Sequence, residues 1–197
     1  MTRDLDSKQS SLQDLLKKDE LFYFKHTSMT SLICCFILDE LKLNDRNMKE
    51  KLCFAAFFHN IYLKGKKELL VGNNEALKAF DKKDQDRILR HPFLVSELLI
   101  KDPNINSDII KIVREQHGHS AGTDFSKTIH SHLKLSLIFQ IASEYSLNYL
   151  NSFEINDGLV NTTEIYKEIQ SRIESNNLSI LQSLKAISIK TNITNDE

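Results

Sequence analysis

Glycine and proline are scarce in this chain, 5 and 2 among 197 residues, and tryptophan is absent. Folds with many tight turns, and sheets with glycine-rich phosphate loops, need glycine for positive φ or close backbone approach, so both are disfavoured. There is no strong excess of charge. Lys+Arg number 26 against 27 Asp+Glu, net −1, with a pI near 6.7. A balanced chain lacks the positive field of a dedicated nucleic-acid binder. Cysteine is limited to Cys34, Cys35 and Cys53, all in apolar runs, which suits free core thiols in a reducing cytosol better than a disulfide framework or a thiolate nucleophile. Long apolar runs are missing too. Leu32–Leu38 and Leu52–Phe58 fall far short of the ~20 residues a bilayer span needs, and the acidic, polar start resembles no signal peptide. The expectation is a cytoplasmic protein without a membrane segment. The Asn-x-Ser/Thr triplets at Asn161, Asn177 and Asn192 have no secretory context and carry no weight.

What is present is helical periodicity, with no internal repeat and no period-2 strand. Leu12, Leu15 and Leu16 suggest an amphipathic helix over 5–20. Met29, Leu32, Ile33, Phe36, Ile37 and Leu41 cover more than one face of a helix over 27–43, so it should be largely buried and end at Asn44-Asp45. A second buried helix is expected over 47–58, capped by Asn47. Short helices follow at 75–80 and 84–90. Pro92 then suits the first turn of a new helix running to about Lys101. Ser107 can cap a helix through His117, ended by Gly118. Long and short helices at 127–149, 162–174 and 177–188 complete an all-α chain with a polar tail.

Seven histidines are present. His26, His59 and His117 each share a helical stripe with apolar residues, and His91 precedes Pro92. A histidine on an apolar face is ordinarily a hydrogen-bonded core residue, but neutral imidazole is also the commonest metal ligand. Four such positions spread along one chain form a pattern. The intervals are 33 residues to His59-Asn60, 32 to His91-Pro92 and 26 to His117, in the segments KHTSMTSLICCFILDELKL, FAAFFHNIYLKG, DQDRILRHPFLVSELL and IVREQHGHSAGTDFSK.

This order resembles the HD-GYP branch of the HD-domain metal-dependent phosphohydrolases. That family's pattern runs His, His-Asp, His-Pro, then His-His-Glu and an Asp-Gly-x-Gly-Tyr-Pro loop. LIFQIASEYSLNYL is similar to a later helix of the family that carries a further Asp, and the resemblance covers about residues 10–170. It implies an HD-domain helical bundle over 26–170, with an N-terminal helix (1–25) packed on it and a C-terminal helix and tail (171–197). It also implies hydrolysis of cyclic di-GMP in bacterial signalling, on two or three iron or manganese ions. A metal pair of that kind supplies Lewis acidity and a nucleophile of lowered pKa.

The chain departs from the pattern where charge matters. Asn60 stands at the bridging aspartate, and an amide is a poor bridge between two cations. Ser143 stands at the late aspartate. Glu144 lies one residue on, about 100° around a helix. The His-His-Glu triplet reads Gln116-His117-Gly118, and of the signature loop only Gly122 and the aromatic Phe125 remain. Lys64 falls one residue later than the family's lysine; it could approach a phosphate, or simply be a solvated loop lysine like Lys66, Lys67, Lys82 and Lys83. His119 could reach back from the loop.

The expected site is therefore His26, His59, His91 and His117, with Asn60 and Ser143 at lost carboxylate positions and Lys64, His119, Gly122 and Phe125 as candidate ligand contacts. Such a set holds no metal or a single divalent ion. The expected role is a catalytically inactive module that binds a signalling protein or a cyclic dinucleotide. The alternatives are a phosphodiesterase in which Glu144, Glu115 or Asp124 replaces the missing ligands around two iron or manganese ions, and a structural or oligomer-forming helical domain.

Overall fold

The computed structural model describes residues 18–43, 45–118, 125–129, 131, 133–173 and 177–193. Most of the helix expected over 5–20, together with His119, Gly122 and Asp124, lies outside these residues. Among the described residues the chain is all-α, with no strand and one isolated backbone bridge, Ile129 to Ile173. The helices are α1 (Lys18–Glu40), α2 (Arg46–Phe58), α3 (Asn74–Leu77), α4 (Lys82–Leu99), α5 (Ser107–Arg114), α6 (Lys134–Ile155), α7 (Thr162–Arg172) and α8 (Leu178–Ile193). Single 3-10 turns at Ile61–Leu63 and Lys67–Leu69 link α2 to α3.

The centre of the molecule is α6, whose residues Leu137, Ile138, Phe139, Ile141, Ala142 and Tyr145 are buried. Helix α1 packs along both α6 and α2, and α2 and α4 both pack on α5. The main core joins Ile33, Cys34, Ile37 and Leu38 of α1 to Leu52, Ala55 and Ala56 of α2, Ile112 and Val113 of α5, and the inner face of α6. Burying each large aliphatic side chain contributes about 1.5–3 kcal/mol. A second apolar cluster of Phe22, Leu63, Leu69, Leu70, Leu77, Ile88, Phe125, Leu147 and Leu150 sits towards the α2–α3 connection.

Several boundaries differ from the periodicity. Helix α1 is helical already at Lys18 and runs unbroken through residues 25 and 26. Its stretch Glu20–Glu40 reaches a mean hydropathy of 1.3, long and apolar enough by composition to cross a bilayer, although no single apolar run reveals this. In the fold its inner face is buried in the core. Asp45, not Asn47, caps α2 by accepting from Asn47 N–H at 2.8 Å, and Asn106, not Ser107, caps α5. Helix α6 starts at Lys134 instead of 127, because the backbone of Ile129 is drawn into pairing with Arg172, its N–H donating to that carbonyl at 2.8 Å. Helix α5 stops at Arg114, so His117 stands in the turn beyond it. Of the expected 75–80 helix only Asn74–Leu77 forms, and α8 extends past 188 to Ile193.

Pro92 lies within a helix and not at the start of one. Residues 82–99 form one helix with Pro92 inside it, and both His91 and Pro92 are buried. A proline within a helix leaves the carbonyl four residues back without its N–H donor. Here that carbonyl belongs to Ile88, and the side chain of His91 uses it.

Candidate functional site

His91 Nδ1–H donates to the carbonyl of Ile88 at 2.6 Å, filling the acceptor that Pro92 leaves open. His59 is held by the same device at the end of α2, where the last carbonyls of a helix lack partners: its Nδ1–H donates to Ala56 O at 2.8 Å. A neutral imidazole that donates through Nδ1 presents Nε2 as an acceptor. Both Nε2 atoms therefore face inward as lone pairs, the orientation seen in metal-ligating histidines whose other nitrogen is pinned by a carbonyl.

Asn60 lies between them. Its amide nitrogen is 2.8 Å from His59 Nε2, and its oxygen is 2.9 Å from His91 Nε2. An amide can donate towards only one of the two rings. The lone pair of His91 is met instead by Gln116 Nε2, which donates to it at 3.1 Å and to the carbonyl of His59 at 3.2 Å. His26 completes the group from α1, with Nε2 3.3 Å from His59 Nε2 and Nδ1 3.1 Å from Ser146 Oγ, whose hydroxyl also reaches the His26 carbonyl at 3.2 Å. His117 is set differently. Its ring lies on Phe125, centroids 4.3 Å apart, and edge-on to His91 at 4.9 Å, while its Nδ1 is buried with no partner among the described residues.

His26, His59 and His91 are buried and His117 is half-buried with its Nδ1 inside, and burial favours the neutral form of all four rings. His59 is pushed down to about 4 and His91 to about 3, each against the pull of its carbonyl bond. His26 and His117 also lie well below the ordinary histidine range, mainly through burial and further through neighbouring imidazoles.

His26, Asn60, His91, Gln116 and His117 line a cavity of about 50 Å³ together with Gln140, Ser143, Glu144 and Arg172. Ser143 and Glu144 both reach its wall, despite the turn of the helix between them. Glu144 is already committed. It contacts Arg172 Nη1, and Arg172 Nη2 donates to the carbonyl of Ser126 at 3.0 Å. Burial pushes the Glu144 carboxyl up to about 7, with Arg172 opposing and Glu168 adding to the rise.

The structure brings together His26, His59, Asn60, His91, His117, Ser143 and Phe125. Lys64 is exposed and does not line the cavity. Lys67 pairs instead with Glu154 at 2.8 Å. Gly118 has a physical reason to be glycine: its φ is +78°, and a Cβ there would sit 2.5 Å from Ser126 Cβ. The glutamate that the HD-GYP pattern has at this position could not be accommodated without moving the 125–126 segment. Ser146 and Arg172 are not singled out by the sequence, and Gln116 stands out there only as the residue in place of the first histidine of the His-His-Glu triplet. A proline-linked histidine pattern gives no sign of which amide or hydroxyl will meet its nitrogens.

The donor set does not suit the two or three metal ions of the family. Among the described residues its one carboxylate, Glu144, is tied to Arg172, and the position between His59 and His91 is neutral. Among the described residues no group of three or more His, Cys, Asp and Glu is arranged to hold a metal ion. In comparisons with known proteins, no family model, no curated protein and no solved structure matches the chain.

Proposed function

We propose that this chain is an HD-GYP-like signalling module of the cytoplasm that has no hydrolytic activity and acts by binding a partner protein. The observation that carries the reading is the amide of Asn60, wedged between His59 and His91 at 2.8 and 2.9 Å where the family pattern places a metal-bridging carboxylate. Two divalent cations held close together repel strongly, and bridging carboxylates offset that repulsion. A neutral amide does not. The amide of Gln116 strengthens the argument, because it spends the His91 lone pair on a hydrogen bond. A histidine frame of this kind serves as a polar core that fixes how α1, α2, α4 and the turn after α5 meet.

A partner protein is favoured over a cyclic dinucleotide by size. Sites for organic ligands typically measure about 300–1,000 Å³. The cavity beside the histidines is about 50 Å³, room for a water molecule or two.

Metal analysis of protein purified without chelators, with a cyclic di-GMP turnover assay, tests the reading. Less than one equivalent of iron or manganese and no turnover is the expected result; two equivalents with turnover would overturn it. Addition of cyclic di-GMP should leave Tm unchanged, since a ligand that binds only the native state must raise it. The double substitution Asn60→Asp with Ser143→Asp should raise metal occupancy above that of the parent chain. If occupancy stays the same, the assignment of these two positions to lost ligands is wrong.

A further inference from the structure

The three cysteines do not share one environment. Cys34 is fully buried in the main core, whereas Cys35 and Cys53 are only half-buried and face each other across the α1–α2 contact, Sγ to Sγ 3.8 Å. The two helices run antiparallel: Cys35 meets Cys53 at one level, and His26 meets His59 at another, nearer the start of α1 and the end of α2. A disulfide requires about 2.05 Å between sulfurs, so the two Sγ atoms have about 1.8 Å to close from 3.8 Å.

We propose that Cys35 and Cys53 form a reversible redox site, closing to an interhelical disulfide by exchange with a small-molecule disulfide. The first thiolate attacks a sulfur of the oxidant, breaking its S–S bond, forming a mixed disulfide and releasing one small thiol. The second protein thiolate then attacks the cysteine sulfur of that mixed disulfide and expels the second small thiol. Two protein thiols lose two electrons and two protons; the oxidant is reduced to two thiols. Burial raises the Cys35 thiol to about 11, with Cys53 and Asp39 adding to the rise and Lys49 opposing it, so the exchange speeds up in alkaline solution. The closed form staples α1 to α2, the helices that deliver His26 and His59, and so makes the histidine cluster harder to pull apart.

The test uses the full chain incubated with oxidised glutathione, quenched by alkylation and read by intact and peptide mass spectrometry. The expected product is a monomer that has lost the mass of two hydrogens, with a single peptide link joining Cys35 to Cys53. Its Tm should exceed that of the reduced chain by roughly 5–10 °C, a gain reversed by a reducing thiol. Cys34→Ala should keep the link, while Cys53→Ala and Cys35→Ala, shown to be folded by circular dichroism, should stop at the glutathione adduct. A link through Cys34, a link between two chains, or adducts that never close in the parent chain would each overturn the proposal.

Discussion

The four histidines at the centre of this molecule, three buried and His117 half-buried, fall into two pairs that are held differently. His59 and His91 are fixed by main-chain carbonyls, one left open by a helix end and the other by a proline. His26 is met by the Ser146 hydroxyl and by His59 Nε2, and His117 rests on ring contacts, its Nδ1 without a partner among the described residues. Backbone carbonyls cannot rotate away, so the first pair has a defined tautomer and an aimed lone pair. The second pair is positioned by packing. Burial alone therefore does not tell a structural keystone from a replaceable aromatic; the partner of each ring nitrogen does.

The largest expected effect is that of acid, which acts on both pairs at once. Below the ordinary histidine value the unfolded chain takes up protons that the native rings refuse, so the stability is present above about pH 6.5 and is lost as pH falls. Each such histidine contributes about 1.4 kcal/mol per pH unit in that window. For His59 the loss continues to about pH 4 and for His91 to about 3. Glu144 works the other way between its ordinary value and about 7, because the native state keeps a proton that the unfolded state releases. One carboxyl against four imidazoles leaves the balance with the histidines. Urea unfolding at a series of pH values should show a steep fall between 6.5 and 5, and a flat profile would mean that the rings are protonated or open to water in the native state.

His91→Phe comes next. It keeps a ring in place but strands the Ile88 carbonyl and removes the acceptor of the Gln116 amide, each unsatisfied buried group costing about 1–3 kcal/mol. Calorimetry should record a drop in Tm of more than 5 °C. A drop below 2 °C would erase the distinction drawn between the pairs.

Gly118→Ala tests the turn that carries His117. The positive φ costs a non-glycine residue about 1–2 kcal/mol, and the clash with Ser126 adds to it, so a loss of about 2–3 kcal/mol is expected in chemical denaturation. Ser146→Ala removes one hydrogen-bond partner of His26 and should cost about 1 kcal/mol, with little change in the shifts of His59 and His91 by nuclear magnetic resonance. At the small end, His117→Phe replaces a ring whose buried nitrogen has no partner among the described residues by an apolar one of similar shape. Its expected effect is within about 1 kcal/mol of zero, in either direction. A loss as large as that of His91→Phe would reveal a partner for His117 outside the described residues.

The sequence made the helices legible where apolar periodicity was strong, as in the buried stretches of α1, α2 and α6. It failed at positions set by long-range contacts. Helix α6 starts seven residues later than its periodicity suggests because Ile129 pairs with Arg172, and nothing local announces that partner. Pro92 read as a helix start because the rule for proline is local. The stabilising bond from His91 to the stranded carbonyl, and the burial of both residues, come from the folded context. The convergence of His26, His59, His91 and His117 was legible from spacing and family resemblance. The roles of Gln116, Ser146 and Arg172 were not, since amides, hydroxyls and guanidinium groups occur everywhere along a helical chain.

By itself, then, the sequence determined the all-α class; that His26, His59, His91 and His117 would meet, with Asn60, Ser143 and Gly118 where the HD-GYP pattern has carboxylates, was an expectation of the resemblance. The helical class follows from composition and period, which are properties of the chain. Only the tertiary structure decided which ring nitrogen faces inward, that an amide sits between two imidazoles, that Gly118 has no room for a side chain, and that Cys35 and Cys53 stand 3.8 Å apart. Each of these depends on the distance between atoms far apart in sequence, and such distances exist only once the helices have packed.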